Sequence, residues 1–445
     1  MVIANENNIK KLRTIDASSI YSILSKLLNS INNFVSIILV GIFLSSEQQG
    51  FFFTLLSFSV LFVFIELGLN FAIIQFAGHE MAAFRTAKDE DARKAAESRL
   101  ISLGRIAFLW FWLGAIVFFL GAGGGGSAFF HSVPGGEAAI APWMLLCSVV
   151  AADFALMPFW SLLEGVNEVY SVYRYRTLRM LAMGCTTWAA LALGADLWAL
   201  GIGYLATFPL SAWMIFKTHR AFFLQFRAQP NGPVISWKNE LLPFQWRLAL
   251  SWMCGYFATW AITPLTMKMF DPSTAGQIGM VWSLSTGVTT IATAMITVKA
   301  PQFGMLVVQR QFSALDHAAL RVGGISIVMA LLFCLVILAG VWGLNTLGHP
   351  YAQRLLPLGP TALILAATVL LQVLQPMAIY LRAHKREPFL PVSIVFALSS
   401  LAAILTFGHL YGPQGIAYGY MLVVGVITLP LATFIFLRCR RQWHR

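Results

Sequence analysis

A few side chains in this sequence could do chemistry because they sit where their kind is scarce, inside long apolar stretches. Lys26, Asn29 and Asn33 recur with Ser22 and Ser36 at spacings of three and four, which is one face of a helix. Glu66, Asp153, Arg105 and Arg179 add two acids and two bases to the first half of the chain. At a helical rise of ~1.5 Å per residue, Lys26 lies roughly eight residues, and Glu66 and Asp153 about ten, above the inner ends of their apolar runs. Charges at such depth in a membrane face a bundle interior or a wet cavity. The bases could bind an anionic head group, and the acids could tune them or carry a coupling proton or sodium ion. The rival reading is a structural ion-pair network, because an unpaired buried charge is costly. Arg247 and Lys299 stand at the inner ends of later apolar runs, where they either attract an anion or follow ordinary charge placement. Thr286, Thr289, Thr290, Thr293 and Thr297 form a hydroxyl face that suits either a cavity wall or helix packing.

Enzyme signatures are absent. The chain has no HExxH, GxSxG, P-loop or paired CxxC motif. Asp89-Glu90-Asp91 fits a metal-holding DxD in form, but it lies in a run of alternating charge that reads as a solvated helix face. The cysteines Cys147, Cys185, Cys254, Cys334 and Cys439 have no metal spacing, and no disulfide is expected. No metal or organic cofactor is expected either.

The elements that must position these side chains are membrane helices. Of 445 residues 58% are apolar and 11% charged, and the mean hydropathy is +0.74. A soluble globule cannot hide so much apolar surface. Apolar runs of membrane-spanning length give twelve spans: 18–44, 51–76, 100–122, 138–162, 177–195, 198–216, 246–267, 275–298, 322–347, 359–381, 388–408 and 414–437. With the N-terminus inside, only Lys268 and Arg354 of the 30 basic residues fall in outer loops, and only Lys26 and Arg105 fall well within spans. This bias places both termini in the cytoplasm and explains the net charge of +12 without nucleic acid. Charged residues 77–99 are expected to carry the second helix into the cytoplasm. Residues 123–137, with Gly123-Gly124-Gly125-Gly126, read as the longest outer loop and a flexible spacer.

Residues 1–17 form a cytoplasmic tail, 18–216 a six-helix lobe, 217–245 a cytoplasmic linker with a short surface helix, 246–437 a second six-helix lobe, and 438–445 a basic tail. The halves echo each other. Pro158 matches Pro376, Gly201-Ile202-Gly203-Tyr204 matches Gly415-Ile416-Ala417-Tyr418, and Gly50 matches Gly276. An even number of spans per copy makes the repeat parallel. The expected fold is an all-α integral membrane protein, with two parallel six-helix lobes around a central cleft.

Three stretches resemble the polysaccharide flippases of the multidrug/oligosaccharidyl-lipid/polysaccharide (MOP) exporter superfamily. They run from Phe43 to Glu80, with its turn glycine, acid-Leu-Gly and Gln-Phe, from Leu162 to Arg176, and from Gly201 onward. The resemblance implies translocation of an undecaprenyl-pyrophosphate-linked oligosaccharide across a bacterial inner membrane by alternating access. It puts Glu66 at the family's acidic position. It implies the lipid-linked oligosaccharide and the bilayer as partners, with a polysaccharide polymerase and chain-length machinery beside them. The alternatives are a cation-coupled drug exporter of the same superfamily and a membrane-embedded polysaccharide polymerase. Lys26 and Arg105 argue against the first, and the short outer loops against the second.

Overall fold

The computed structural model describes residues 10–384 and 386–443. Side chains are described from Tyr21 onward, except those of Ser22, Ile23, Lys26, Phe244, Arg247, Leu248, Val298, Pro301 and Val308. The described residues form helices and connecting turns, with no strand among them. Each apolar range read from the sequence holds helix. In chain order these helices are α1 (Lys10–Phe43), α2 (Ser46–Glu66), α3 (Leu69–Thr86), α4 (Glu90–His131), α5 (Glu137–Gly165), α6 (Val169–Ala192) and α7 (Trp198–Thr218). They continue with α8 (Leu242–Thr259), α9 (Ile262–Met269), α10 (Pro272–Val308), α11 (Phe312–Thr346), α12 (Leu358–Ala383), α13 (Leu390–Tyr411) and α14 (Pro413–Trp443). Among the described residues, 9 helices are long and apolar enough to cross a membrane.

Two local expectations are corrected. The charged stretch after Thr86 does not prolong the second helix. Asp89 is extended (φ −126°, ψ 163°) and its carboxylate accepts the Ala92 N–H at 2.7 Å, so it caps the start of α4. The glycine run is not a loop either, because Gly123 to Gly126 lie inside α4. The Trp143 indole explains why: it donates to the carbonyls of Ala122 and Gly123 at 3.1 and 3.3 Å. A Cβ on Gly126 would stand 2.3 Å from that indole nitrogen. The glycines let a fully buried tryptophan close against the helix, and the turn shrinks to the residues between His131 and Glu137.

The chain divides into two compact units. Unit 1 comprises residues up to Leu28 and Phe58–Met253; unit 2 comprises Asn29–Ser57 and Cys254 onward. In unit 1, α4 packs on α5, α3 on both, and α6 on α7. In unit 2, α10, α11 and α12 pack together, and α13 lies against α14. Both proline echoes fall inside helices, Pro158 in α5 and Pro376 in α12. The last long helix of each half contains a π-helical stretch, Trp213–Thr218 and Val423–Thr428.

The tip of the first hairpin, Asn29–Ser57, belongs to unit 2 by intimate contact. Tyr351 donates to the Ile37 carbonyl at 3.0 Å, and the Gln49 amide donates to the Arg354 carbonyl at 3.0 Å. A Cβ on Gly50 would sit 1.8 Å from the Pro272 carbonyl oxygen, and one on Gly276 would sit 2.9 Å from the Gly50 nitrogen. The two turn glycines matched in the sequence therefore abut, and only glycine admits that approach.

Candidate functional site

The interior of unit 1 contains the one bidentate ion pair buried inside its helices among the described residues. Arg179 of α6 donates through both terminal nitrogens to Asp153 of α5, at 2.7 and 2.6 Å. The side chains are 14% and 12% exposed. The planar fork matches the carboxylate, and charge-assisted bonds of this kind are about twice as strong as neutral ones. The third guanidinium nitrogen, Nε, is buried without a partner.

Hydroxyls and rings extend the seam on either side. Tyr175, one turn before Arg179, hydrogen-bonds Ser211 of α7 at 2.6 Å and stacks on Trp160 with ring centroids 4.0 Å apart. Tyr204 of α7 is half-buried and hydrogen-bonds Ser59 of α2. Sequence reasoning missed these partners. The apolar/polar pattern scores a tyrosine as membrane-compatible whether or not its hydroxyl is used.

Glu66 sits where the second span breaks. Leu67 and Gly68 both adopt left-handed backbone (φ 51° and 72°), ending α2 and starting α3. The buried Glu66 carboxylate accepts the Asn70 N–H at 3.0 Å and also the Gly68 N–H, so it caps the helix that follows. The Trp110 indole donates to the Ile65 carbonyl at 3.0 Å, satisfying the other side of the break. The Asn70 amide oxygen in turn accepts the Ser161 hydroxyl. Among the described residues, Glu66 has no ion-pair partner. The signal for the break was present in Glu66-Leu67-Gly68, a glycine in mid-span one residue after a leucine that follows an acid.

The remaining side chains singled out from the sequence scatter. Asn33 donates to the Ser283 carbonyl of α10 at 2.7 Å, which is helix packing inside unit 2. Asn29 and Lys299 are exposed. Lys26 and Arg247 lie outside the described side chains. Arg105 does not join the seam. It occupies the exposed face of α4 and donates to the Ala228 carbonyl at 3.3 Å.

Unit 2 has a neutral counterpart. Gln372 of α12, fully buried, donates to Ser326 of α11 at 2.6 Å and faces Thr293 of α10 at 3.3 Å. Ser326 passes the chain on to the Ala292 carbonyl at 2.6 Å. Ser285 and Thr368 pair at 2.6 Å. Of the threonine face, Thr286, Thr289 and Thr290 bond carbonyls one turn back in their own helix.

No family model matches this chain, and no curated protein matches it in sequence. Solved structures do match in fold. An inward-facing multidrug resistance MATE family transporter of the MOP superfamily aligns with TM-score 0.62 and 13% identity, covering 95% of this chain and 96% of that one. An outward-facing conformation of a multidrug resistance MATE family transporter aligns with TM-score 0.57 and 13% identity, covering 96% of each chain. A MOP superfamily transporter from Pyrococcus furiosus, described as having a binding pocket of reverse polarity, aligns with TM-score 0.58 and 14% identity over 97% and 95% of the two chains. The chain shares the fold of these transporters. That fold and the long apolar helices make it a multi-pass membrane protein.

Proposed function

We propose that this protein is a MOP-type flippase. It carries a lipid-linked oligosaccharide, anchored through undecaprenyl pyrophosphate, across a bacterial inner membrane by alternating access. In this reading the chain crosses the membrane twelve times with both ends in the cytoplasm, forms no covalent intermediate, and works beside a polysaccharide polymerase and chain-length machinery. The observation that carries the reading is Arg179, a buried base in a transporter-like fold with its Nε donor unspent. Asp153 cancels its charge and holds it in place, and a pyrophosphate oxygen is the kind of acceptor that Nε lacks. Lys26, with Arg247 and Lys299 at the inner ends of their helices, supplies further positive charge along the path, and Asn29 lines it, while Asn33 holds α1 to α10. Glu66 is the coupling acid for a proton or sodium ion, with Asp153 tuned by its arginine.

Deleting the gene and locating the lipid-linked oligosaccharide tests this proposal. Accumulation on the cytoplasmic face, relieved by the wild-type chain and not by the Arg179→Met, Asp153→Leu pair, is the expected result. Normal translocation would overturn it. The second reading, a cation-coupled drug exporter, draws on the burial of Glu66 without a base among the described residues and on the multidrug transporters among the structural matches. Drug resistance lost on deletion, with the glycan unchanged, would favour that reading.

A further inference from the structure

Arg105 presents a puzzle that the proposed transport path does not absorb. It lies in the apolar part of α4, on the helix face that continues through Leu109, Trp112, Leu113 and Ile116. These residues recur at helical spacing, and Leu109 and Trp112 are 63% and 57% exposed. In a membrane protein such an apolar stripe is the surface that lipid chains touch. Arg105 is therefore a cation at the end of a lipid-facing stripe. Among the described residues no carboxylate pairs with it, and one weak bond to the Ala228 carbonyl uses one of its five N–H donors.

The wall beside it is built. The segment after α7 is strapped along the inner half of α4. The Phe226 ring lies on Gly104, where a Cβ would stand 2.2 Å from it. The Ile235 N–H donates to the Ser102 hydroxyl at 2.9 Å, and Trp237 stacks on Trp110 with centroids 5.5 Å apart. Arg99 bridges Glu80 and Glu240 at 2.9 and 2.6 Å, fixing the far end. Between strap and helix runs an open groove of about 470 Å³, lined by Ser102, Arg105, Gln229, Pro230 and Val234. Arg227, next to Ala228 and exposed, adds a second positive charge at the same turn of chain.

We propose that this groove binds the phosphodiester of an anionic phospholipid, in the leaflet on the strap's side. Arg105 grips the phosphate, and the acyl chains lie along Leu109, Trp112 and Ile116. The apolar stripe accounts for the chains, the groove for the head group, and the unpaired guanidinium for the charge. A free anion would not need the stripe.

The test places a photoreactive p-benzoylphenylalanine at Leu109 in the full-length chain, reconstituted in vesicles of equimolar phosphatidylglycerol and phosphatidylcholine. Adducts should favour phosphatidylglycerol by about tenfold, because the choline ammonium of phosphatidylcholine cancels the charge of the phosphate that Arg105 meets. Arg105→Gln, an exposed change that leaves the fold intact, should bring the ratio close to one. The same probe at Leu398, an exposed apolar position of α13, a helix without arginine or lysine, should also give a ratio near one. A ratio unchanged by Arg105→Gln, or matched at Leu398, overturns the proposal. So does displacement of the phosphatidylglycerol adduct by stoichiometric undecaprenyl pyrophosphate, which would make the groove part of the transport path instead.

Discussion

Unit 1 holds an arginine and an aspartate in its interior, whereas unit 2 builds its interior polar seam from Gln372, Ser326, Thr293, Ser285 and Thr368. Both seams satisfy buried groups, but the chemistry differs. The neutral seam has only hydrogen bonds to lose, and a typical one contributes about 1 kcal/mol. The charged seam balances two desolvated ions, each of which is intolerable alone. A purely structural role is met at less risk by amides and hydroxyls. Unit 2 keeps its ion pairs, such as Arg440–Asp316, on more exposed side chains, so a pair kept in the interior of unit 1 points to that unit as the place where charge is used.

The largest effect should come from breaking that pair on one side. Asp153→Ala leaves the Arg179 guanidinium buried without its counter-ion, and unfolding stability in detergent should fall by about 3–5 kcal/mol. Replacing both partners, Arg179→Met with Asp153→Leu, should restore most of that stability while oligosaccharide translocation stays lost. Recovery of both would reduce the pair to scaffolding and erase the contrast between the units.

In unit 2 the matching cut is Gln372→Leu. It leaves the Ser326 and Thr293 hydroxyls short of a partner, and thermal unfolding should report a loss of about 1–3 kcal/mol. Translocation should persist in the surviving folded protein. Loss of transport at normal folded yield would show that the neutral seam is also part of the path.

Glu66 separates capping from coupling. Glu66→Ala removes the cap of α3 and should cost about 1 kcal/mol. Glu66→Gln keeps an oxygen to accept the Asn70 N–H, so its melting temperature should stay near wild type. Only the coupling role predicts that Glu66→Gln abolishes gradient-driven transport. The smallest effect concerns the strap. The hydrogen bond from Arg99, followed by that from the Ser236 N–H, holds the Glu240 carboxyl below its usual range. A depressed folded-state pKa means that the clasp's contribution is complete above the unfolded value of about 4.3 and is lost as pH falls through the lower folded value. Protease cleavage of the segment from Ala228 to Leu241 should therefore rise only in strong acid. Glu240→Gln should make it insensitive to pH, at a cost within about 1 kcal/mol.

The membrane class and the helical ranges were legible because length and apolarity are local properties. The expectation that interior charges pair, drawn from depth alone, holds for Arg179 and Asp153 but not for Glu66 or Arg105 among the described residues. The choice of Asp153 for Arg179, 26 residues apart on different helices, was not legible, since it depends on which helix faces α6. The glycine run misled for a related reason. Four glycines read as a loop until Trp143, on the next helix, supplies the ring they accommodate. The assignment of Asn29–Ser57 to unit 2 was hidden in the same way, because α1 is continuous and nothing in its own sequence marks Leu28 as an edge.

That assignment bears on how the protein is made. The hairpin tip is synthesised early, yet the groups that hold it come much later in the chain: Ser283 for Asn33, Tyr351 for Ile37, and the Arg354 carbonyl for Gln49. Their sequence separations are 250, 314 and 305 residues. Domains emerging from a ribosome ordinarily fold in order of synthesis. Here Gly50 has to stay unoccupied while about half of the protein is translated, until the turn at Pro272 arrives to meet it. The first hairpin inserted is therefore among the last to be seated, and the nascent chain needs something, whether lipid or an insertase, to shield the Gly50 turn in the interval.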